Sequence, residues 1–421
     1  MKRCPECRRD YYDDTLLYCL DDGVALVEGP SSGEAQTAIF PGHSSADARP
    51  TTSRRPVVRV LAVVIAVALI GGAGYWLLTR PTGSDVGPSI PQHDGFLRAK
   101  VLIANENRED MDAAIKLFEQ VVAEDPQFAA GWAQLARAYN KKAFYFASDA
   151  ERKQFNENAE VAVDRSLAID PNLPEGHLAR GLVLWTHAKR FPHELAVQSY
   201  KRAIALDPNL DEAHHQLALV YLHIGLFDKA RAEVGKALEI NPGNTLARFR
   251  YGVIDMYRGR YEDAAEFFKS TSTEQTPALQ AFQLAMALFK LGRSKEASEL
   301  IDRFLRENPI DEGGVGTSVK AMMLAHDRRV EDALAAIKRA DEIGRGFGHY
   351  HHTAFNIASA YALMNMQDQA VDYLQLAADD GFPCYPLFEA DDSFVNIRRN
   401  SRYVALLAKL KQQWERYNAT L

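Results

Sequence analysis

Three cysteines close to the amino terminus are the residues of this chain best placed to do chemistry. Cys4-Pro5-Glu6-Cys7 presents two thiolates from one tight turn, and Cys19-Leu20-Asp21-Asp22-Gly23 forms a second turn after a short loop. Two thiolates from a single knuckle are the usual half of a tetrahedral zinc site, which takes four protein donors when its role is structural. A segment this small has little core of its own, so holding it folded would be the task of the ion. The fourth cysteine, Cys384, stands far from these three and has no neighbour for an intrachain disulfide.

Elsewhere the patterns that catalysis requires are missing. The chain holds no GxxxxGK[ST] phosphate loop, no HExxH, no GxSxG and no kinase set, so no enzymatic activity is expected. Gly344, Gly346 and Gly348 imitate a phosphate loop, but no strand precedes them, and a helix-ending turn is the expected structure. Histidines fall into two groups, His214, His215 and His223, then His349, His351 and His352. Residues 351 and 352 should point to different faces of a helix, and histidine at the start of a hairpin is ordinarily solvated or capping. The sequence therefore assigns these groups no metal.

The segment from Cys4 to Val27 resembles the short zinc ribbons found at the start of many bacterial membrane proteins. In those ribbons the second knuckle also ends in Cys, whereas here Asp22 occupies that place. Carboxylate oxygen ligates zinc, so the resemblance implies either a Cys₃Asp site built from Cys4, Cys7, Cys19 and Asp22, with zinc as a structural cofactor, or a knuckle that has lost its metal.

The elements around these residues follow from hydropathy. Val60 to Leu78 passes nineteen positions without an ionisable side chain and is bounded by Arg59 and Arg80. At about 1.5 Å per residue such a helix spans roughly 28 Å, the thickness of a hydrocarbon core. Arg49, Arg54, Arg55 and Arg59 precede it and Arg80 alone follows closely, which places the amino-terminal side in the cytoplasm and the large remainder outside. In a bacterium that is a single-pass inner-membrane protein with a periplasmic domain. Ala68 and Gly72 form a small-xxx-small pair, a pattern compatible with self-association and equally with small residues facing lipid. The whole chain carries a net charge of −7, with 47% hydrophobic and 25% charged residues. That is ordinary for a folded protein and does not suit a nucleic-acid partner.

Beyond residue 92 the chain is periodic. Between Asp211 and Asn244 the residues Leu217, Ala218, Tyr221, Gly225, Phe227, Ala230, Ala237 and Pro242 occupy the seventh, eighth, eleventh, fifteenth, seventeenth, twentieth, twenty-seventh and thirty-second places of a 34-residue period. This spacing resembles the tetratricopeptide repeat (TPR). Small residues at places eight and twenty let two antiparallel helices approach, and the proline stops the second helix. The same frame recurs, with Pro126, Pro171, Pro208, Pro242 and Pro309 each following Asp or Asn. It gives about eight hairpins near 95–128, 129–173, 174–210, 211–244, 245–277, 278–310, 314–347 and 351–384. The second is enlarged around Lys141 to Arg152, and a DEGGVG turn near 311–316 should bend or loosen the array.

The expected fold is thus all-α: an α-solenoid of about eight TPR hairpins, preceded by one transmembrane helix and a small zinc-ribbon-like segment. Its parts are the ribbon-like segment (1–27), a disordered linker (28–56), the transmembrane helix (57–79), a second linker (80–92), the solenoid (93–384) and C-terminal capping helices (385–421). Tyr403 to Trp414, apolar at Leu406, Leu407 and Leu410, is the expected cap.

In the family, function lies on the concave face, lined by the first helix of each hairpin. The resemblance places there Glu212, His215, Gln216, Leu219, Leu222 and His223, then Phe249, Arg250, Val253, Met256 and Tyr257. The mixture suits an extended peptide or a helix held by several shallow contacts. The family's carboxylate clamp uses Lys and Asn, which are absent from the matching places. The implied function is a membrane-anchored TPR scaffold that binds a partner protein or peptide on its concave face. The alternative is a transmembrane signalling or regulatory protein that relays occupancy of the array to a cytoplasmic partner of the ribbon.

Overall fold

The structure, a computed structural model, describes residues 2–3, 10–11, 27–28, 94–104, 107–271 and 277–421. The chain divides into two compact units between Leu97 and Arg98. In the first, β1 (Lys2–Arg3) pairs antiparallel with both β2 (Asp10–Tyr11) and β3 (Val27–Glu28), giving the order β2-β1-β3. Cys4, Cys7, Cys19, Asp22, the expected transmembrane run, the second linker and all of the first linker but Glu28 lie outside the described residues. Among the described residues, no helix is long and apolar enough to cross a membrane.

The rest is helical and comes in pairs. The first two pairs are α1 (Asp94–Ala104) with α2 (Arg108–Glu124) and α3 (Ala129–Lys141) with α4 (Asp149–Ile169). Next come α5 (Pro174–Leu184) with α6 (His193–Leu206), α7 (Asp211–His223) with α8 (Phe227–Ile240), and α9 (Thr245–Tyr257) with α10 (Tyr261–Ser270). The last three are α11 (Pro277–Lys290) with α12 (Ser294–Glu307), α13 (Val315–His326) with α14 (Val330–Gly344), and α15 (Tyr350–Leu363) with α16 (Gln367–Asp379). Short α17 (Tyr385–Ala390) and long α18 (Ser401–Thr420) follow. From α3 to α15, the first helix of each hairpin packs on its own partner and on the first helix of the next hairpin, the arrangement of an α-solenoid.

The repeat's signature residues have visible local work. Ala218 and Ala230 are fully buried where α7 meets α8. Gly225, Gly259 and Gly292 take φ near +75° at the turn inside their hairpins, where a left-handed residue ends the first helix cheaply only if it has no Cβ. Between hairpins, the side chains of Asp125, Asp170, Asp207 and Asn241 accept backbone N–H bonds two residues on, at 2.9–3.0 Å, fixing the turn around each proline. The residue at the fourth place of the next hairpin then bonds the proline carbonyl: Trp132 to Pro126 (3.1 Å), His177 to Pro171 (2.9 Å) and His214 to Pro208 (3.2 Å).

Two features depart from the expected simple array. The DEGGVG turn is pinned instead of loose: Asp311 is buried and its carboxylate accepts the backbone N–H groups of Gly316 (2.9 Å) and Thr317 (2.8 Å), capping α13. More important, the array closes on itself. The enlargement of the second hairpin is a π-helical turn, Lys142–Phe146, followed by an α4 of 21 residues. There the Phe144 ring packs on Phe347 (centroids 5.6 Å), and the Arg152 guanidinium donates to the Gly346 carbonyl 194 residues away. Helix α18 buries Tyr403, Leu406, Leu410 and Tyr417, yet instead of ending a free stack it reaches back to the middle. Trp414 Nε1 donates to Gly225 O (3.1 Å), Tyr221 Oη donates to Leu421 O (3.1 Å), and Arg416 pairs with Glu194 (3.2 Å).

Candidate functional site

Closure gives the inner face a different shape from the shallow groove expected. The first helices α3, α5, α7 and α9 surround a cavity of about 680 Å³, completed by residues of α11, α12 and the turns before α13 and α15. Glu212, His215, Gln216, Leu219, Leu222, His223, Phe249, Arg250, Val253 and Tyr257 all line it, while Met256 lines a smaller adjoining pocket with Tyr257 and His352. Many of these side chains are buried by the protein itself: His215, Leu219, Leu222, His223, Phe249, Val253 and Met256 all keep less than a tenth of their surface.

The wall is apolar with a few polar groups. Burial alone would push the Glu212 carboxyl up, yet Arg137 and Lys141 outweigh it and hold Glu212 below its usual value, in an ion pair with Arg137. Arg250 is different. Among the described residues no carboxylate pairs with it, its Nε is buried without a hydrogen-bond partner, and its guanidinium lies against Phe249 (5.7 Å to the ring centroid). Burial depresses its pKa, but a guanidinium stays protonated even so, and a cation thus faces the cavity with no carboxylate against it among the described residues. His215 is neutral, its pKa pushed down to about 3 by burial and then by Arg250, and its Nε2 is also buried without a partner.

One end of the cavity holds the residues that sequence reasoning left aside. His223, from the end of α7, meets His349, His351 and His352, from the start of α15. His223 and His351 are fully buried, while His349 and His352 are half-buried and border the cavity. The two sequence groups are re-sorted by the fold. His214 turns outward to Glu233 (2.6 Å), and His215 and His223 turn inward. The expectation of solvated or capping histidines at 349–352 therefore does not hold. Periodicity around His223 and the inner-face place it occupies were signals for one of the four histidines; nothing local marked the other three as its neighbours.

Comparison with known proteins adds the repeat identity. Residues 193–225 match a family model described as TPR repeat, and residues 215–274 and 282–346 match one described as tetratricopeptide repeat. These stretches carry tetratricopeptide repeats. Among solved structures, a thermophilic TPR protein of Thermus thermophilus is similar at 24% identity and a TM-score of 0.34, over 47% of this chain and 94% of that one. A tetratricopeptide repeat protein of Parabacteroides merdae is similar at 16% identity and 0.44, over 65% and 98%. PilF of Pseudomonas aeruginosa is similar at 18% identity and 0.39, over 51% and 90%. No curated protein sequence matches the chain.

Proposed function

We propose that the chain is a membrane-anchored interaction scaffold whose closed array takes a short extended segment of a partner protein into its inner cavity, with an acidic group of that segment opposite Arg250. Tetratricopeptide repeats are in general protein-interaction modules. The observation that carries the reading is Arg250: a cation with no carboxylate partner among the described residues, lining a cavity with the inner-face residues of successive hairpins. An α-helix with its side chains is about 10–12 Å across. A volume of about 680 Å³ lies in the range of pockets that hold compact ligands. An extended segment therefore suits the cavity better than a helix does.

The anchor is the run at 57–79, supported by the nineteen uncharged positions from Val60 to Leu78 and by the arginines that precede them, with the amino-terminal side cytoplasmic and the array periplasmic. At the cytoplasmic end, Cys4, Cys7, Cys19 and Asp22 are the residues that would hold a structural zinc. In the chain, the first two fall between β1 and β2, and the other two between β2 and β3.

Photocrosslinking in native membranes tests the cavity reading, with a photoreactive residue at Tyr257 and a control at the exposed Val161. A protein adduct at residue 257 that disappears with Arg250→Met, and is absent at residue 161, is expected. Adducts at 257 indifferent to Arg250→Met would remove Arg250 from the reading, and adducts only at 161 would move the partner to the outer face.

A further inference from the structure

Four imidazoles converge where the array closes. The candidate ligand nitrogens of His223, His349, His351 and His352 all lie within 4.8 Å of one another. For zinc–nitrogen bonds of about 2.0–2.1 Å in a tetrahedron, neighbouring ligand nitrogens sit about 3.3 Å apart. His349 Nδ1 and His351 Nε2 are already 3.1 Å apart, so modest side-chain rotation brings the set to coordination distance.

The hydrogen bonds around the cluster leave donor lone pairs inward. His223 Nδ1 donates to the Leu219 carbonyl (2.8 Å), which fixes the tautomer and leaves Nε2 as a bare lone pair; that Nε2 is buried and has no partner. His351 Nδ1 lies 3.6 Å from Asp380 Oδ2, just beyond hydrogen-bond reach, and both atoms are buried without a partner, so a small turn of the ring forms the carboxylate–histidine bond that orients metal-ligating imidazoles. His352 Nδ1 lies 3.3 Å from Tyr257 Oη, and in the tautomer in which Nδ1 donates to that hydroxyl, Nε2 of the ring carries the free lone pair. Ring packing alone accounts for the clustering of aromatic faces, but it leaves the His223 lone pair buried and unsatisfied, which a metal would correct.

We propose that His223, His349, His351 and His352 form a structural zinc-class metal site that clasps the fourth hairpin to the eighth. Imidazole suits zinc, and four protein nitrogens fill its coordination, so the ion locks the closed array and leaves no position for catalysis. Asp380 acts as a positioning residue through His351. The site is independent of the partner reading, because the clasp joins two parts of this chain whether or not a partner enters the cavity.

The test uses the full chain in detergent with Cys4, Cys7 and Cys19 replaced by Ser, which removes the thiolate knuckle as a competing site. After chelation, Co²⁺ is titrated as the spectroscopic probe. One equivalent is expected to give the intense visible bands of four-coordinate cobalt, without thiolate charge transfer, and Zn²⁺ should displace it. His223→Gln and His351→Gln should each weaken binding more than tenfold, and Asp380→Asn by about tenfold or more. Because His223→Gln also disturbs packing on Phe382, the Asp380→Asn titration, with all four imidazoles retained, provides the second readout. Absence of the four-coordinate bands, or bands undiminished across the three variants, would overturn the proposal.

Discussion

In an open solenoid each hairpin touches only its neighbours, so substitutions in the second and seventh hairpins should act independently. Closure makes the opposite prediction at Phe144 and Phe347. Their ring centroids are 5.6 Å apart at 55°, within the range of favourable aromatic pairs, and Phe144 also meets His349 edge-on at 4.9 Å. Such a pair contributes about 0.5–1.5 kcal/mol beyond area burial. Both rings are half-buried, so each truncation to Ala should cost less than the ~3–5 kcal/mol of a fully buried phenylalanine. The double variant should then be less destabilised than the sum of the singles by about 0.5–1.5 kcal/mol. Urea unfolding of the full chain in detergent, followed by far-ultraviolet circular dichroism, provides the four stabilities. Additivity within about 0.3 kcal/mol, the behaviour of distant sites, would refute the closure.

Three further outcomes follow from particular contacts. Gly381 has φ +103° and a Cβ there would lie 2.4 Å from the Phe191 ring, whereas Gly259, at φ +74°, has open space around it. Gly259→Ala should therefore cost about 1–2 kcal/mol of backbone strain alone, and Gly381→Ala clearly more, read as the larger fall in melting temperature; equal falls would contradict the packing. Lys290 and Asp391 form a buried ion pair, exposed by only 9% and 3%. Lys290→Met strands the carboxylate and should cost about 3–5 kcal/mol, with Lys290→Met/Asp391→Asn recovering part of it; a double variant no better than the single would rule this out. His214 has its pKa raised by its 2.6 Å bond to Glu233, against the opposing effect of burial. That contribution is full below the unfolded histidine value of about 6.5 and is lost as pH rises through the higher folded value. The native chain should lose more stability than His214→Asn between pH 6 and 8.5 in urea midpoints, and parallel losses would exclude the pair as a contributor.

The helical array was legible because its determinants are local. A period of 34 residues, small residues at the helix crossings and Asn-Pro or Asp-Pro at the ends each act within one hairpin, and the helices from Asp211 to Ile240 realise them residue by residue. The inner-face residues from Glu212 to Tyr257 were legible for the same reason, since helical phase decides which side chains turn inward. Closure was not legible. It depends on curvature accumulated over many hairpins and on the Lys142–Phe146 turn, whose sequence shows an enlargement but not what it touches. The histidines show the limit most clearly. Adjacent positions 351 and 352 should separate onto two faces, yet their ring centroids lie 4.6 Å apart, with His351 fully buried and His352 bordering the cavity. His223 meets both from another hairpin, with ring centroids 5.1 and 5.0 Å away.

Closure also changes what kind of ligand the repeats can serve. In an open array the concave face is a continuous track, and affinity grows with the number of hairpins engaged. Here the far wall is supplied by residues 347–352 and by the turn at 309–312, so the available space is set by how firmly those segments are held. Under the proposed function, a helix inserted along the inner face would have to displace Phe347 from Phe144, both of which line the cavity, and would oppose that aromatic contact. An extended segment with an acidic side chain meets Arg250 without opening anything. Under the proposed function, the contacts that stabilise the closed array would also select among partners, favouring a slender acidic segment over a bulky helix, which would have to oppose them.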